Sequence, residues 1–372
     1  MGNSNKKILL VQLFSNGDCL YATAVARQIK QDFPDCHLTW AIAPFCKDII
    51  ALNPYVDDVR IVENVPKNNI VAFRKFKRKV NNEKAQGLWN HVFITTNMDN
   101  NQALYDGTIR GMILSAYPKK ITVPLKPVLV LSEKEINNVA VFSEKNNLRD
   151  FKNVILWEFA PQSGQSSLSL DLVMRLSKQL VSIPSTCVIL SSAHSFESQS
   201  NIIDASVLSV RENAALSHYC SLLIGCSSGI TWLCTSNAGK FLPMIQLIDP
   251  YVPFLNAPSV DFTRCNISSE FLIELTSIEE SNIFNCVETV LNKDFKIAKE
   301  IYNQSLPIQF NTTRNIVYNM LCYLQFKAIV KHLVIMIKNY GLRFELIKQF
   351  LLAIVTAPFK LLHNIYKKRV GA

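Results

Sequence analysis

Short apolar runs alternate with segments whose apolar positions recur every three or four residues, from residue 8 to about residue 115, and the alternation restarts near residue 153. The run 8–14 has the length and apolar character of a strand buried on both faces, and 38–43, 59–62 and 91–95 read as further short strands. Between the first two, Ala22, Val25, Ala26, Ile29 and Phe33 fall at helical spacing, which predicts a helix over 19–33; 45–52 predicts a second. Residues 68–84 read as a basic helix or loop, and 99–115 as a helix. The stretch YPKKITVPLKPVLVL breaks the pattern before a polar helix at 133–147. Strands then follow at 153–159, 187–191, 221–225 and 243–247, separated by helices at 169–181, 211–219 and 229–237. Alternation of this kind predicts βαβ units and parallel sheets.

Two such halves predict an α/β protein with two doubly wound, Rossmann-like domains facing a cleft, residues 1–150 and 151–320, followed by a helical tail over 321–372. A chain of 372 residues with 49 % hydrophobic composition can fill two cores, since single cores rarely grow past about 250–300 residues.

Charge changes the picture at one end only. Of the net +10, the tail carries +8, because nine Lys or Arg between Lys327 and Arg369 face the single acid Glu345. The body is close to neutral and shows no basic face interleaved with aromatics, which argues against nucleic acid as a partner. The tail's apolar stretches, broken by Lys and Arg, are too short to span a bilayer. They fit basic amphipathic helices on an anionic membrane surface; a helical cap that packs on the body or mediates dimerisation is the other reading. Pro358 should end or kink a tail helix. Ten cysteines without metal-ligand spacing, and a polar start without a signal-peptide core, point to a reduced, cytoplasmic protein with no metal site.

In doubly wound sheets ligands bind beyond the carboxyl ends of the strands. Two strand-to-helix turns have suitable composition. In the first, Ser15-Asn16-Gly17-Asp18, Gly17 permits a tight turn and Asp18 presents a carboxylate, as a helix cap or as a catalytic group. In the second, Gly225-Cys226-Ser227-Ser228-Gly229 leads into Ile230 and Thr231, and small residues at a helix start suit an ordinary tight turn or a pyrophosphate cradle. Cys226 lacks a nearby histidine and reads as a small turn residue. His194 and His218 read as surface or structural residues, and the basic run 74–79 as a solvated face or a contact for an anionic acceptor.

The run ILLVQLFSNGDCLYATAVARQIKQDFPDCHLTWAIAPFCKDIIALNPYVDDV resembles the N-terminal half of glycosyltransferase family 9, the lipopolysaccharide heptosyltransferases and their relatives. LSVRENAALSHYCSLLIGCSSGITWLCTSNAGK is similar to the corresponding part of the family's second half, and the resemblance covers roughly residues 7–300 in order. It implies a GT-B architecture and inverting, metal-independent transfer from a nucleotide sugar to a glycan or lipid-linked saccharide, with no cofactor, at the inner face of the cytoplasmic membrane. By it, Asp18 takes the place of the general base, with Asn16 and Gly17 in the acceptor-side turn. Ser227, Ser228, Gly229, Ile230 and Thr231 take the donor-phosphate positions, and Glu197 lies near the ribose position. Two departures stand out: Ser227 replaces a family Asp, and the stretch QSSLS at 165–169 lacks a phosphate-neutralising lysine. They leave open a catalytically inactive GT-B-fold scaffold of a polysaccharide-assembly complex. A sugar-nucleotide epimerase is disfavoured because no second acid can be placed at the cleft.

Overall fold

The structure is a computed structural model that describes residues 6–159, 168–192, 194–249, 257–304, 306 and 310–370. Among the described residues ten strands form two parallel sheets. The first contains β1 (Lys7–Val11), β2 (His37–Ile42), β3 (Asp58–Ile61) and β4 (His91–Ile94) in the order β3-β2-β1-β4. Ile8 pairs with Leu38 on one side and His91 on the other. The second contains β5 (Asn153–Glu158), β6 (Thr186–Ser191), β7 (Ile202–Asp204), β8 (Leu222–Gly225), β9 (Met244–Leu247) and β10 (Leu272–Leu275), in the order β10-β9-β8-β5-β6-β7. Each order reverses once, between β1 and β4 and between β5 and β8, and those two switch points are where such sheets open a crevice for ligands.

The first sheet is flanked by α1 (Asn16–Asp32), α2 (Ile70–Ala85) and α3 (Ile109–Ser115). The second has α4 (Glu133–Lys145), α5 (Leu170–Leu180), α6 (Glu212–Leu216), α7 (Gly229–Leu233), α8 (Pro258–Arg264), α9 (Glu280–Asn292) and α10 (Phe295–Tyr302) around it. The tail comprises α11 (Asn311–Cys322), α12 (Phe326–Tyr340) and α13 (Phe344–Val370). Several predicted helices are shorter or differently wound. Residues 44–50 and 99–104 are 3-10 turns, the latter separated from α3 by Asp106-Gly107, and α7 stops at Leu233 rather than 237. α13 continues through Pro358 instead of ending there. A proline removes one backbone donor, and a 27-residue helix retains enough other turns to run on.

Eleven of the 17 residues of α1 are buried, more than one amphipathic stripe provides, because its two faces pack against different halves of the molecule. Its side chains also strap down the Pro-containing stretch. Arg27 donates to the carbonyls of Pro124 and Lys126, Gln28 accepts from the Thr122 and Val123 amides, and Thr23 accepts from Val128. Arg211, 4 % exposed, ties the halves together: it pairs with Glu135 at 2.6 Å and donates to the carbonyls of Asp48, Ala51 and Val130. That guanidinium holds the Glu135 carboxyl down at about 2.

Candidate active site

β1 ends below the first switch point, and the chain turns there at Ser15, whose φ of 64° is unusual for a residue with a side chain. Ser15 is the cap position, with Asn16, Gly17 and Asp18 following as the first helical residues of α1. Asp18 is therefore not the cap. Its carboxylate is only 8 % exposed and accepts one side-chain hydrogen bond, from Asn97 Nδ2 at 3.2 Å, in the loop after β4 across the switch point. Burial pushes the Asp18 carboxyl from its ordinary 3.8 up to about 7; Lys67 opposes this and Asp261 of α8 adds to it. A carboxylate with that pKa is half ionised near neutrality, the condition in which a general base both exists in its basic form and drives proton transfer.

β8 ends at the second switch point, and its turn repeats the backbone device: Ser227 has φ 56° and is 4 % exposed. Its amide donates to Gln246 Oε1 at 2.6 Å. Gly225 is required by space, since a Cβ there would come within 2.5 Å of Thr231 Oγ1, whereas Gly229 faces open space. Several donors of this turn are already engaged from within. Glu158, the last residue of β5 and 5 % exposed, accepts from the Ser228 hydroxyl, the Ile230 amide at 3.2 Å, the Thr231 amide at 3.4 Å and the Thr231 hydroxyl at 3.3 Å. Burial raises the Glu158 carboxyl above its usual range, and these hydrogen bonds offset part of the rise. The preference of a helix start for an anion is thus met by the protein's own side chain.

The two turns meet. Trp232 of α7 lies 3.9 Å from where a Gly17 Cβ would be, and its ring stands edge-on to Tyr21 of α1 at 5.1 Å between centroids. Arg110, 1 % exposed, stacks over Tyr21 at 4.7 Å and Trp232 at 5.6 Å, and Phe262 closes the far side of Trp232 at 5.9 Å. Asp18 and the 225–231 turn therefore flank one aromatic seam. Sequence reasoning missed Asn97, Glu158, Arg110, Trp232 and Asp261. The strand-end position of Glu158 was a usable signal, because a carboxylate closing an apolar strand must find donors. Asp261 is fully buried, and its charge adds to the rise at Asp18, so a second acid belongs to the electrostatic surroundings of Asp18.

Other candidates fall elsewhere. Glu197 and His194 are exposed in the segment between β6 and β7. His218 Nε2 lies 3.0 Å from the Ala238 carbonyl, a structural contact. Cys226 is buried, which pushes its thiol well above the ordinary range and away from nucleophile chemistry. In the basic run, Arg74 and Lys77 are taken by Asp99 at 2.7 and 3.1 Å. Gln325, just before α12, donates to the same carboxylate at 2.6 Å. Of the lysine-lacking stretch, residues 165–167 lie outside the described residues; Ser169 caps α5. Among the described residues no group of three or more His, Cys, Asp or Glu is placed to hold a metal ion.

No protein-family model matches the chain, and no curated protein matches its sequence. Solved structures do share its fold. It is similar over 81 % of its length to the glycosyl transferase family 9 from Veillonella parvula DSM 2008, covering 95 % of that chain at a TM-score of 0.53 and 14 % identity. It is similar over 77 % of its length to the E. coli ADP-heptose LPS heptosyltransferase II, covering 98 % of that chain at a TM-score of 0.51 and 13 % identity. At these identities the likeness is one of fold. The architecture is GT-B, two Rossmann-like domains as in the family 9 glycosyltransferases, with a C-terminal helical extension.

Proposed function

We propose that this chain is an inverting, metal-independent glycosyltransferase that moves a sugar from a nucleotide sugar to a lipopolysaccharide or other cell-surface glycan acceptor. Asp18 is the general base. It takes the proton of the acceptor hydroxyl as that oxygen bonds to the anomeric carbon, and the bond from that carbon to the nucleoside diphosphate breaks with its electron pair leaving on phosphate. The observation that carries this reading is the Asp18 carboxyl itself, buried at a sheet switch point with a pKa near 7. The heptosyltransferase whose fold is similar uses ADP-heptose by its name, which supports a nucleotide-sugar donor here.

The donor is assigned to the domain 151–320, at the turn carrying Ser227, Ser228, Gly229, Ile230 and Thr231, with Glu197 on the ribose side and the acceptor held by the domain 1–150 near Asn16 and Gly17. Because Glu158 takes the Ser228 hydroxyl and the Ile230 and Thr231 amides, a diphosphate reaches those donors only with Glu158 displaced. The acceptor is membrane-borne, and the tail over 321–372 brings the chain to the inner membrane face.

The same occupation by Glu158 is the one observation that favours the alternative, a catalytically inactive scaffold. Thermal unfolding against ADP, UDP, GDP, CMP and their sugar conjugates separates the two. A donor at about 100 times its dissociation constant adds about 2.7 kcal/mol. Stabilisation by one nucleotide class supports the enzyme and names its base, and indifference to all of them supports the scaffold.

A further inference from the structure

The tail packs one face of each of its last two helices and leaves the other in water. On α12, Ile329, His332 and Met336 are buried. Phe326, Val330 and Val334, spaced by four, are 60, 63 and 58 % exposed. At 100° per residue these three form one stripe pointing away from the buried face, and Lys327, Lys331 and Lys338 fall along its edge. On α13, Leu346, Ala353 and Ala357 are buried, while Phe344, Leu351 and Val355 stand 81, 54 and 60 % exposed on the opposite side. Lys348 lies on that outward side as well, and Arg343 immediately precedes the helix; both are exposed. Glu345, the one acid of the segment, bonds to Lys348 and Gln349.

Large apolar side chains grouped this way mark an interaction surface rather than scattered exposure. The charge around them decides the occupant. A second copy of the chain would bring the same surplus of cations against this one, with one acid to answer them. An anionic lipid surface complements it, taking the apolar side chains among its acyl chains and the cations among its headgroups. Among the described residues no helix is long and apolar enough to cross a membrane, which suits helices lying in the interface.

We propose that the outward faces of α12 and α13 dock the protein on an anionic phospholipid bilayer. This deepens the reading of a membrane-borne acceptor and rests on it for the purpose of docking, though not for the docking itself. The surface is fastened to the candidate site: Gln325 and Arg74 meet on Asp99, two residues after Asn97, which bonds Asp18. Tyr340, at the end of α12, donates to the Asp106 carbonyl and accepts from Arg264 of α8.

The test is flotation of the full chain with vesicles of phosphatidylcholine alone and of phosphatidylcholine mixed equally with phosphatidylglycerol. The expected result is partition into the anionic vesicles at least tenfold above the neutral ones, reduced at least tenfold by the pair Lys327→Glu and Lys331→Glu and, separately, by the pair Phe344→Ser and Leu351→Ser. These positions are exposed, so the melting temperature in solution should not move. Equal partition into both vesicles, no partition, or a concentration-dependent dimer with partition unchanged in the variants would overturn the proposal. Nucleotide-sugar stabilisation measured without vesicles stays independent of it: flotation lost with that response kept sinks the docking alone, and the reverse sinks the transferase reading alone.

Discussion

Replacing Asp18 by asparagine separates what this residue costs the fold from what it does. Its carboxyl rises from an ordinary 3.8 to about 7 on folding, so the folded chain takes up a proton between those limits. The stability this gives is fully present in acid, below the unfolded value, and is lost as pH rises through 7. At about 1.36 kcal/mol per pH unit, the carboxylate costs the fold about 4 kcal/mol at pH 8 and about 2 kcal/mol at pH 5, relative to a neutral side chain of the same shape. Against a typical total of about 5–15 kcal/mol, that is a large charge to keep buried. Asparagine retains an oxygen for the Asn97 amide. Asp18→Asn should therefore exceed the wild type by about 4 kcal/mol at pH 8 and about 2 kcal/mol at pH 5, read by urea unfolding at both, while sugar transfer falls to background. In the wild type, kcat/KM for transfer should climb with pH through about 7 as the base ionises. A stability gap equal at the two pH values, or a variant less stable at pH 8, would refute the reasoning whatever the activity did.

The neighbours of Asp18 give a paired check. Asp261→Asn removes a like charge and should move the rising limb of the pH profile to lower pH, and Lys67→Ala should move it to higher pH, each by less than burial itself contributes. Coincident profiles for all three proteins would remove both residues from the site's electrostatics. Glu158→Gln keeps an oxygen at the start of α7 and deletes a charge beside the proposed diphosphate site, so titration calorimetry should show nucleotide-sugar binding tightened roughly tenfold, about 1.4 kcal/mol; weaker binding would place the diphosphate elsewhere. His332 reports on the tail. Burial holds its ring near 4 against an ordinary 6.5, with the Ala103 and Tyr105 backbones offsetting part of the drop. Its stabilisation is present above 6.5 and is lost as pH falls toward 4, by about 3 kcal/mol. Amide exchange should show α12 losing protection over that window after correction for intrinsic rates, and unchanged protection would mean the ring is not held neutral.

The parallel sheets were legible because a strand covered on both faces must be apolar along its length, and β1, β2, β5, β6, β8 and β9 announce themselves that way, whereas β3 is an exposed edge strand read only from its Val and Ile residues. β7 has only three residues, and in β10 the charged Glu274 interrupts the apolar run, so neither stands out from its surroundings. The 3-10 turn at 99–104 hid inside a helical pattern because its break comes from tertiary ties, with Asp99 held at φ 56° by Arg74, Lys77 and Gln325. Periodicity cannot report a bond to a residue 226 positions away. The resemblance to family 9 anticipated the GT-B fold. It could not anticipate how the second turn satisfies its donors, since that depends on a glutamate 70 positions upstream.

Asp18 and Glu158 were not distinguishable by composition, yet the structure treats them oppositely. Both are buried carboxylates beside a helix start, Glu158 closing β5 and Asp18 in the first turn of α1, and in both burial favours the protonated form. Glu158 has four donors around it, which return much of the hydration it lost. Asp18 has one side-chain donor, a long contact from Asn97, and a second carboxylate near enough to raise it further. A fold optimised for stability alone would supply Asp18 with donors or replace it. Its poor satisfaction leaves lone pairs available to a proton that is not its own, and that difference is the ground on which we propose Asp18, rather than Glu158, as the base.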